Sequence, residues 1–161
     1  MVGTNSFFKT IRELEELDFS GECDLGEAIT TSQGGAAGDG LAVIISDFFT
    51  ESDWRKAVDY LVYKKRQVLL IQVMTPEEID PLYDGRVNLI DLESEDIADP
   101  RNMKLRITRG MQQAYAEALK DYKQELKSFC ASRGADFVSV STAEPIEKTL
   151  FSELFKTGIM E

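Results

Sequence analysis

Asp47 is the residue of this chain best placed to do chemistry. It lies in the run Leu41-Ala42-Val43-Ile44-Ile45-Ser46-Asp47-Phe48-Phe49, an apolar stretch entered from a glycine-rich loop and closed by a serine and an aspartate. Such a run reads as a buried parallel strand, and open α/β sheets hold their ligands beyond the carboxyl ends of their strands. A carboxylate at that edge could serve as a phospho-acceptor, as a nucleophile or as one ligand of a hard cation. Each role needs company. Receiver-type phosphotransfer also wants an acidic pair after an earlier strand and a lysine after a later one. The last clear strand here ends in Ser139-Val140-Ser141 instead. There is no histidine, which removes Ser-His and Cys-His nucleophile pairs and the usual zinc ligands together.

The remaining candidates have plain structural readings beside the chemical ones. Cys23 and Cys130 lie far apart and in no metal-ligand spacing, which points to a reducing compartment without a disulfide framework. Cys130 falls on an apolar helical stripe, so a small buried hydrophobe is the default reading over a reactive thiol. Asp24 stands where a short helix begins and reads as a cap before it reads as a ligand. The loop Gly34-Gly35-Ala36-Ala37-Gly38-Asp39-Gly40 follows a helix and leads into a strand. A phosphate-binding loop has the reverse order, so this one is read as a connector.

The elements that must position these residues follow from periodicity. Phe7, Phe8, Ile11, Leu14 and Leu17 recur at helical spacing after Thr4 or Asn5, and Asp24 opens a shorter helix carrying Leu25, Ala28 and Ile29. After the strand come a capped start at 50–53 and a helix with Trp54, Ala57, Val58, Leu61 and Val62 on one face. Lys64-Lys65-Arg66, the one tight basic cluster, sits where that helix should end and suits its dipole. Residues 67–73 form the next apolar strand, closed by Thr75-Pro76, and strand, helix, strand makes a right-handed parallel crossover the default. Residues 86–92 and 103–107 alternate and suggest a small hairpin around an acidic stretch at 93–99. A long helix over 108–132, stopped by Gly134, precedes a short strand at 136–141, and Pro145 opens a last helix faced by Ile146, Leu150, Phe151, Leu154 and Phe155.

Length and composition bound the function. The 161 residues suit one domain, and 43% hydrophobic with 29% charged residues is ordinary for a packed core. Twenty-nine acids against 18 bases leave a net charge of -11, which repels phosphate backbones and anionic membranes. Nucleic acid is therefore not expected as a partner. No segment approaches a membrane span or a secretory leader, so no membrane insertion and a cytoplasmic location are expected.

Taken together, Ser46-Asp47-Phe48-Phe49, the strand 67–73 followed by Thr75-Pro76-Glu77-Glu78, the segment Arg86-Val87-Asn88-Leu89-Ile90-Asp91, and Asp136-Phe137-Val138-Ser139-Val140 followed by Thr142-Ala143-Glu144-Pro145 resemble one protein class. It is the von Willebrand A-like domain of the bacterial domain of unknown function 58 family, often encoded beside MoxR-type AAA+ ATPases. The resemblance covers about 21–155. It implies an α/β, three-layer Rossmann-like fold with a mostly parallel sheet, here with a small β-hairpin insertion, and a protein-interaction role instead of catalysis.

The resemblance also implies a metal site that this chain does not complete. Such domains bind a divalent metal through an Asp-x-Ser-x-Ser loop after the first strand, a threonine in a second loop and an aspartate after the fourth strand. Asp47 matches the last position, and Gly21-Glu22-Cys23-Asp24-Leu25 matches the second loop with Cys23 in place of threonine. Asp-x-Ser-x-Ser occurs nowhere in the chain. A thiol is a poor ligand for a hard ion, so Asp47, Cys23 and Asp24 are remnant positions and neither magnesium nor another cofactor is expected. The chain is thus expected to be a single domain over 1–161 that is missing its first strands. Its strand Leu41–Ser46 should then expose an edge for a homodimer or another polypeptide. Three functions remain open: a non-enzymatic interaction module such as an adaptor for an AAA+ ATPase; a phospho-accepting or hydrolytic α/β domain using Asp47; and an inactive fragment of a larger protein.

Overall fold

The elements follow one another in a simple order among the described residues. Helices α1 (Thr4–Glu15) and α2 (Leu25–Thr31) precede strand β1 (Leu41–Ser46), helix α3 (Trp54–Tyr63), strand β2 (Gln67–Met74) and the single turn α4 (Pro76–Ile79). Strands β3 (Gly85–Leu89) and β4 (Met103–Ile107), helix α5 (Arg109–Ser132) and strand β5 (Asp136–Ser141) complete the order. The computed structural model describes residues 4–17, 24–31, 40–50, 52–83, 85–89, 103–147, 151, 152 and 155. The glycine loop at 34–39, the acidic stretch at 93–99, Cys23, Leu150 and Leu154 lie outside them.

The fold is mixed α/β. The three apolar runs pair in parallel in the order β1-β2-β5, with Ile44 opposite Leu70 and Ile71 opposite Val138, and β3 pairs antiparallel with β4 as a separate ribbon. Parallel neighbours require crossovers, and α3 between β1 and β2 and α5 before β5 lie in those connections. The ends of these helices are written locally. Asp53 caps α3 by accepting from the Lys56 N–H, and Thr108 caps α5 by accepting from the Met111 N–H at 3.3 Å. Gly134 stops α5 at φ 68°, a left-handed position that suits glycine. The turn α4 was not separated from the strand end by periodicity, but its signal is plain: Thr75 and Glu78 form a capping box, with Pro76 at the first helical position.

One face of the sheet carries the main core. Ile44, Val68 and Leu70 meet Trp54, Ala57 and Val58 of α3 and Leu126 and Cys130 of α5, with Leu25 and Ile29 of α2 packed at the margin. Trp54 stands edge-on to Phe48 and to Phe129, with ring centroids at 6.1 and 5.1 Å. Ion pairs from Arg55 to Glu125 and from Arg133 to Asp59 tie α3 to α5 and its C-cap. The opposite face holds a smaller cluster of Leu69, Ile71 and Val138, flanked by Val73 and Val140.

The expectation that 41–47 is a buried strand needs correcting. Among the described strands β1 is one of the sheet's two edges, and only its helix-facing side is covered: Ile44 is 5% exposed, whereas Leu41, Val43 and Ile45 are 47%, 45% and 66% exposed. Among the described strands only the central β2 is buried on both sides. Helix α1 differs from expectation in the same way. Its spacing is amphipathic as read, but Phe7, Phe8, Ile11 and Leu14 all face solvent.

Candidate functional site

The carboxyl ends of β1, β2 and β5 are joined by a polar relay. Gln72, the one fully buried polar side chain among the described residues, donates through Nε2 to the Asp47 carbonyl at 3.0 Å and accepts through Oε1 from Ser139 Oγ at 3.2 Å. A buried amide with both ends paired costs little, whereas an unpaired one would cost its full desolvation. Gln72 therefore fixes where β1 ends and where Asp47 stands. A glutamine flanked by Ile71 and Val73 in an apolar run was the sequence signal for this, and it went unread.

Above the relay the chain turns sharply. Ser46 Oγ accepts from the Phe48 N–H and Asp47 Oδ1 accepts from the Phe49 N–H, both at 3.0 Å. Phe48 holds φ 62°, a left-handed backbone that a bulky side chain rarely adopts, at a cost of about 1–3 kcal/mol. Its surroundings impose that conformation. The ring is 1% exposed in the core, and its carbonyl accepts from Tyr122 Oη at 2.6 Å.

This turn delivers Phe49 to the surface, where it stacks on Tyr122 with centroids 6.1 Å apart. Phe49, Thr50, Tyr115, Ala118, Leu119 and Tyr122 line an open groove of about 460 Å³ beside it. Both tyrosine hydroxyls are turned onto backbone, Tyr115 donating to the Glu78 carbonyl at 2.5 Å. Burial raises both phenols above their ordinary values, Glu78 adding to the rise at Tyr115, so they stay protonated donors at neutral pH. The groove thus presents aromatic faces without a titrating acid.

The residues singled out by sequence fall on separate turns. Asp47 is exposed and its carboxylate is bonded within its own turn, Ser46 Oγ lying 3.4 Å away. Asp24 Oδ1 accepts from the Glu27 N–H at 2.7 Å and so caps α2. That helix approaches the start of α3 closely: a Cβ on Gly26 would stand 2.9 Å from the Asp53 carbonyl oxygen. Cys23 lies outside the described residues. Among the described residues no three His, Cys, Asp or Glu side chains gather where they could hold a metal. Cys130 is buried, its thiol pushed up to about 11 by loss of solvent and by the nearby Asp136.

A second polar feature had no counterpart in the sequence reading. The β3–β4 register sets Arg86 opposite Arg106 and Asn88 opposite Lys104, which gathers three cations on one face of the ribbon. No helix among the described residues is long and apolar enough to cross a membrane.

Two solved structures are similar to the whole chain. One is the conserved hypothetical protein BatB from Bacteroides thetaiotaomicron, 19% identical over 98% of this chain and 72% of that one, with a TM-score of 0.45. The other is an aerotolerance-related membrane protein from Bacteroides fragilis, 17% identical over 95% of this chain and 71% of that one, also at 0.45. No curated protein matches. Residues 2–150 match the family described as Protein of unknown function DUF58, and the chain belongs to that family.

Proposed function

We propose that this chain is a non-enzymatic protein-interaction module of von Willebrand A-like, Rossmann-like build, whose contact element is the open side of β1. The observation that carries this reading is the character of that strand. Leu41–Ser46 has no charged residue, proline or glycine, leaves its outer edge without a strand among the described residues, and exposes Leu41, Val43 and Ile45. Edges that must stay single are blunted by charge, proline or bulges, and β1 has none of these. In a chain of net charge -11 an uncharged edge is also a place where two copies can meet without repulsion.

The occupant of that edge is a second copy or another polypeptide, and a AAA+ ATPase of the MoxR type is the partner class that the family resemblance suggests. The chain acts in the cytoplasm on this reading and uses no cofactor. Asp47 and Asp24, each accepting from a backbone N–H of its own turn, support a structural use of the remnant positions.

Light scattering tests the edge. The expected result is a solution mass above that of one chain, alone or with the purified ATPase, and a return to one chain in Ile45→Lys. A wild-type chain that stays single and ignores the ATPase would sink the proposal. Calorimetric titration with magnesium tests the cofactor-free reading, since binding that disappears in Asp47→Ala would restore a metal role.

A further inference from the structure

We infer that the outer face of the β3–β4 ribbon is a second docking site, independent of β1, for an acidic peptide segment of a partner protein. Antiparallel pairing places Arg86 directly opposite Arg106 and Asn88 opposite Lys104. Residues directly opposite, and residues two apart on one strand, share a face. Arg86, Asn88, Lys104 and Arg106 therefore stand together, and all four are exposed. They border a concavity of about 510 Å³.

Three properties of this face point to an anionic occupant. The ten residues of the ribbon, Gly85–Leu89 and Met103–Ile107, hold three bases and no acid, in a chain with 29 acids to 18 bases. Among the described residues none of the three cations forms an ion pair, while Arg55 and Arg133 do. Like charges directly opposite weaken a strand pair, so the Arg86–Arg106 pairing is a local cost that a bound carboxylate would remove. Two guanidinium groups side by side form a double fork suited to carboxylate oxygens, with Lys104 as a third point charge and Asn88 as a neutral donor.

The charge balance selects the class of anion. A net charge of -11 disfavours approach to polyanions such as duplex DNA or anionic bilayers, whose field extends over many charges. A short peptide that places two or three carboxylates on the ribbon is repelled far less. The partner recognised here is therefore a protein with an exposed Asp/Glu-rich segment.

Fluorescence polarisation of a labelled decapeptide of alternating Asp and Glu, with its Asn/Gln counterpart as control, tests this on the full chain. The acidic peptide should bind, the neutral one should not, and affinity should weaken as salt rises. Arg86→Gln with Arg106→Gln should cut affinity at least tenfold while the melting temperature holds or rises, because the cross-strand repulsion is gone. Arg106→Lys should lose severalfold, since an ammonium lacks the fork. Unchanged binding in the double glutamine variant would overturn the site. Tighter binding of duplex DNA or of anionic vesicles than of the peptide would give the face to a polyanion and overturn the partner class. Binding that appears only after Glu93, Glu95, Asp96 and Asp99 become Gln or Asn would assign the face to the chain's own acidic stretch, which also overturns the proposal.

Discussion

The two faces of β1 carry the same kind of side chain and have opposite fates. Ile44 turns toward α3 and α5 and lies 5% exposed among Val58, Val68, Leu70 and Leu126; Ile45, its neighbour, turns the other way and is 66% exposed. Nothing in the residues separates the two isoleucines. The difference lies in what covers them, and in the register that places Ile44 beside Leu70 and Ile45 beside Ile71. One face of this strand is spent on stability, and the other is left exposed.

The hardest test of that contrast is truncation on the covered face. Ile44→Ala removes a packed side chain from a core that cannot collapse around the gap, and should cost about 2–5 kcal/mol in urea unfolding. Ile45→Ala should change the same midpoint by no more than about 0.5 kcal/mol, as surface substitutions usually do. Equal effects would mean that Ile45 is covered in solution, and a mass measurement would then show by how many chains.

Gln72→Leu probes the top of the covered face. It preserves volume but strands the Asp47 carbonyl and the Ser139 hydroxyl, and should cost about 1–3 kcal/mol. Since Gln72 also sets the end of β1, the amide signals of Phe48 and Phe49 should shift in the NMR spectrum. Signals that stay in place would show that the Phe48 turn is held by its buried ring and the Tyr122 bond alone.

A gentler probe is the thiol within the same core. Cys130 titrates at about 11 in the fold, raised first by burial and then by Asp136, against about 8.5 in an unfolded chain. The neutral thiol is thus favoured by folding. Its contribution is full below about pH 8.5 and is lost as pH rises through about 11. The stability gap between wild type and Cys130→Ala should narrow over that window. A constant gap would place the thiol in contact with water.

What could be read from the residues follows the range of the interactions involved. Caps, turns and strand runs are local, so Asp24, Asp53, Gly134 and the runs of β1, β2 and β5 were legible, as was the burial of Cys130 from the spacing along α5. Coverage is not local. The run Leu41–Ser46 is apolar at both parities up to Ser46, as a doubly buried strand would be, so the residues by themselves did not show its open face, and the expected free edge came from the family resemblance alone. The left-handed Phe48 was hidden because that conformation is enforced by packing, at a residue type that does not advertise it. The cations of the ribbon were equally hidden, since Arg86 and Arg106 become neighbours only through the β3–β4 register.

The smallest expected effect on folding is the sharpest statement about the open face. Ile45→Lys replaces a side chain that already stands two-thirds in water, so unfolding should move by no more than about 0.5 kcal/mol. A lysine there points off the uncovered face beside a bare strand edge, where it works as charged edge residues do in single sheets. In a symmetric pairing through β1 the variant would bring two lysines to one interface, so a dimer should dissociate while the monomer keeps its stability. If association instead survives Ile45→Lys but falls in the Arg86→Gln, Arg106→Gln double variant, the contact lies on the β3–β4 ribbon, and the exposed isoleucine is surface without a partner.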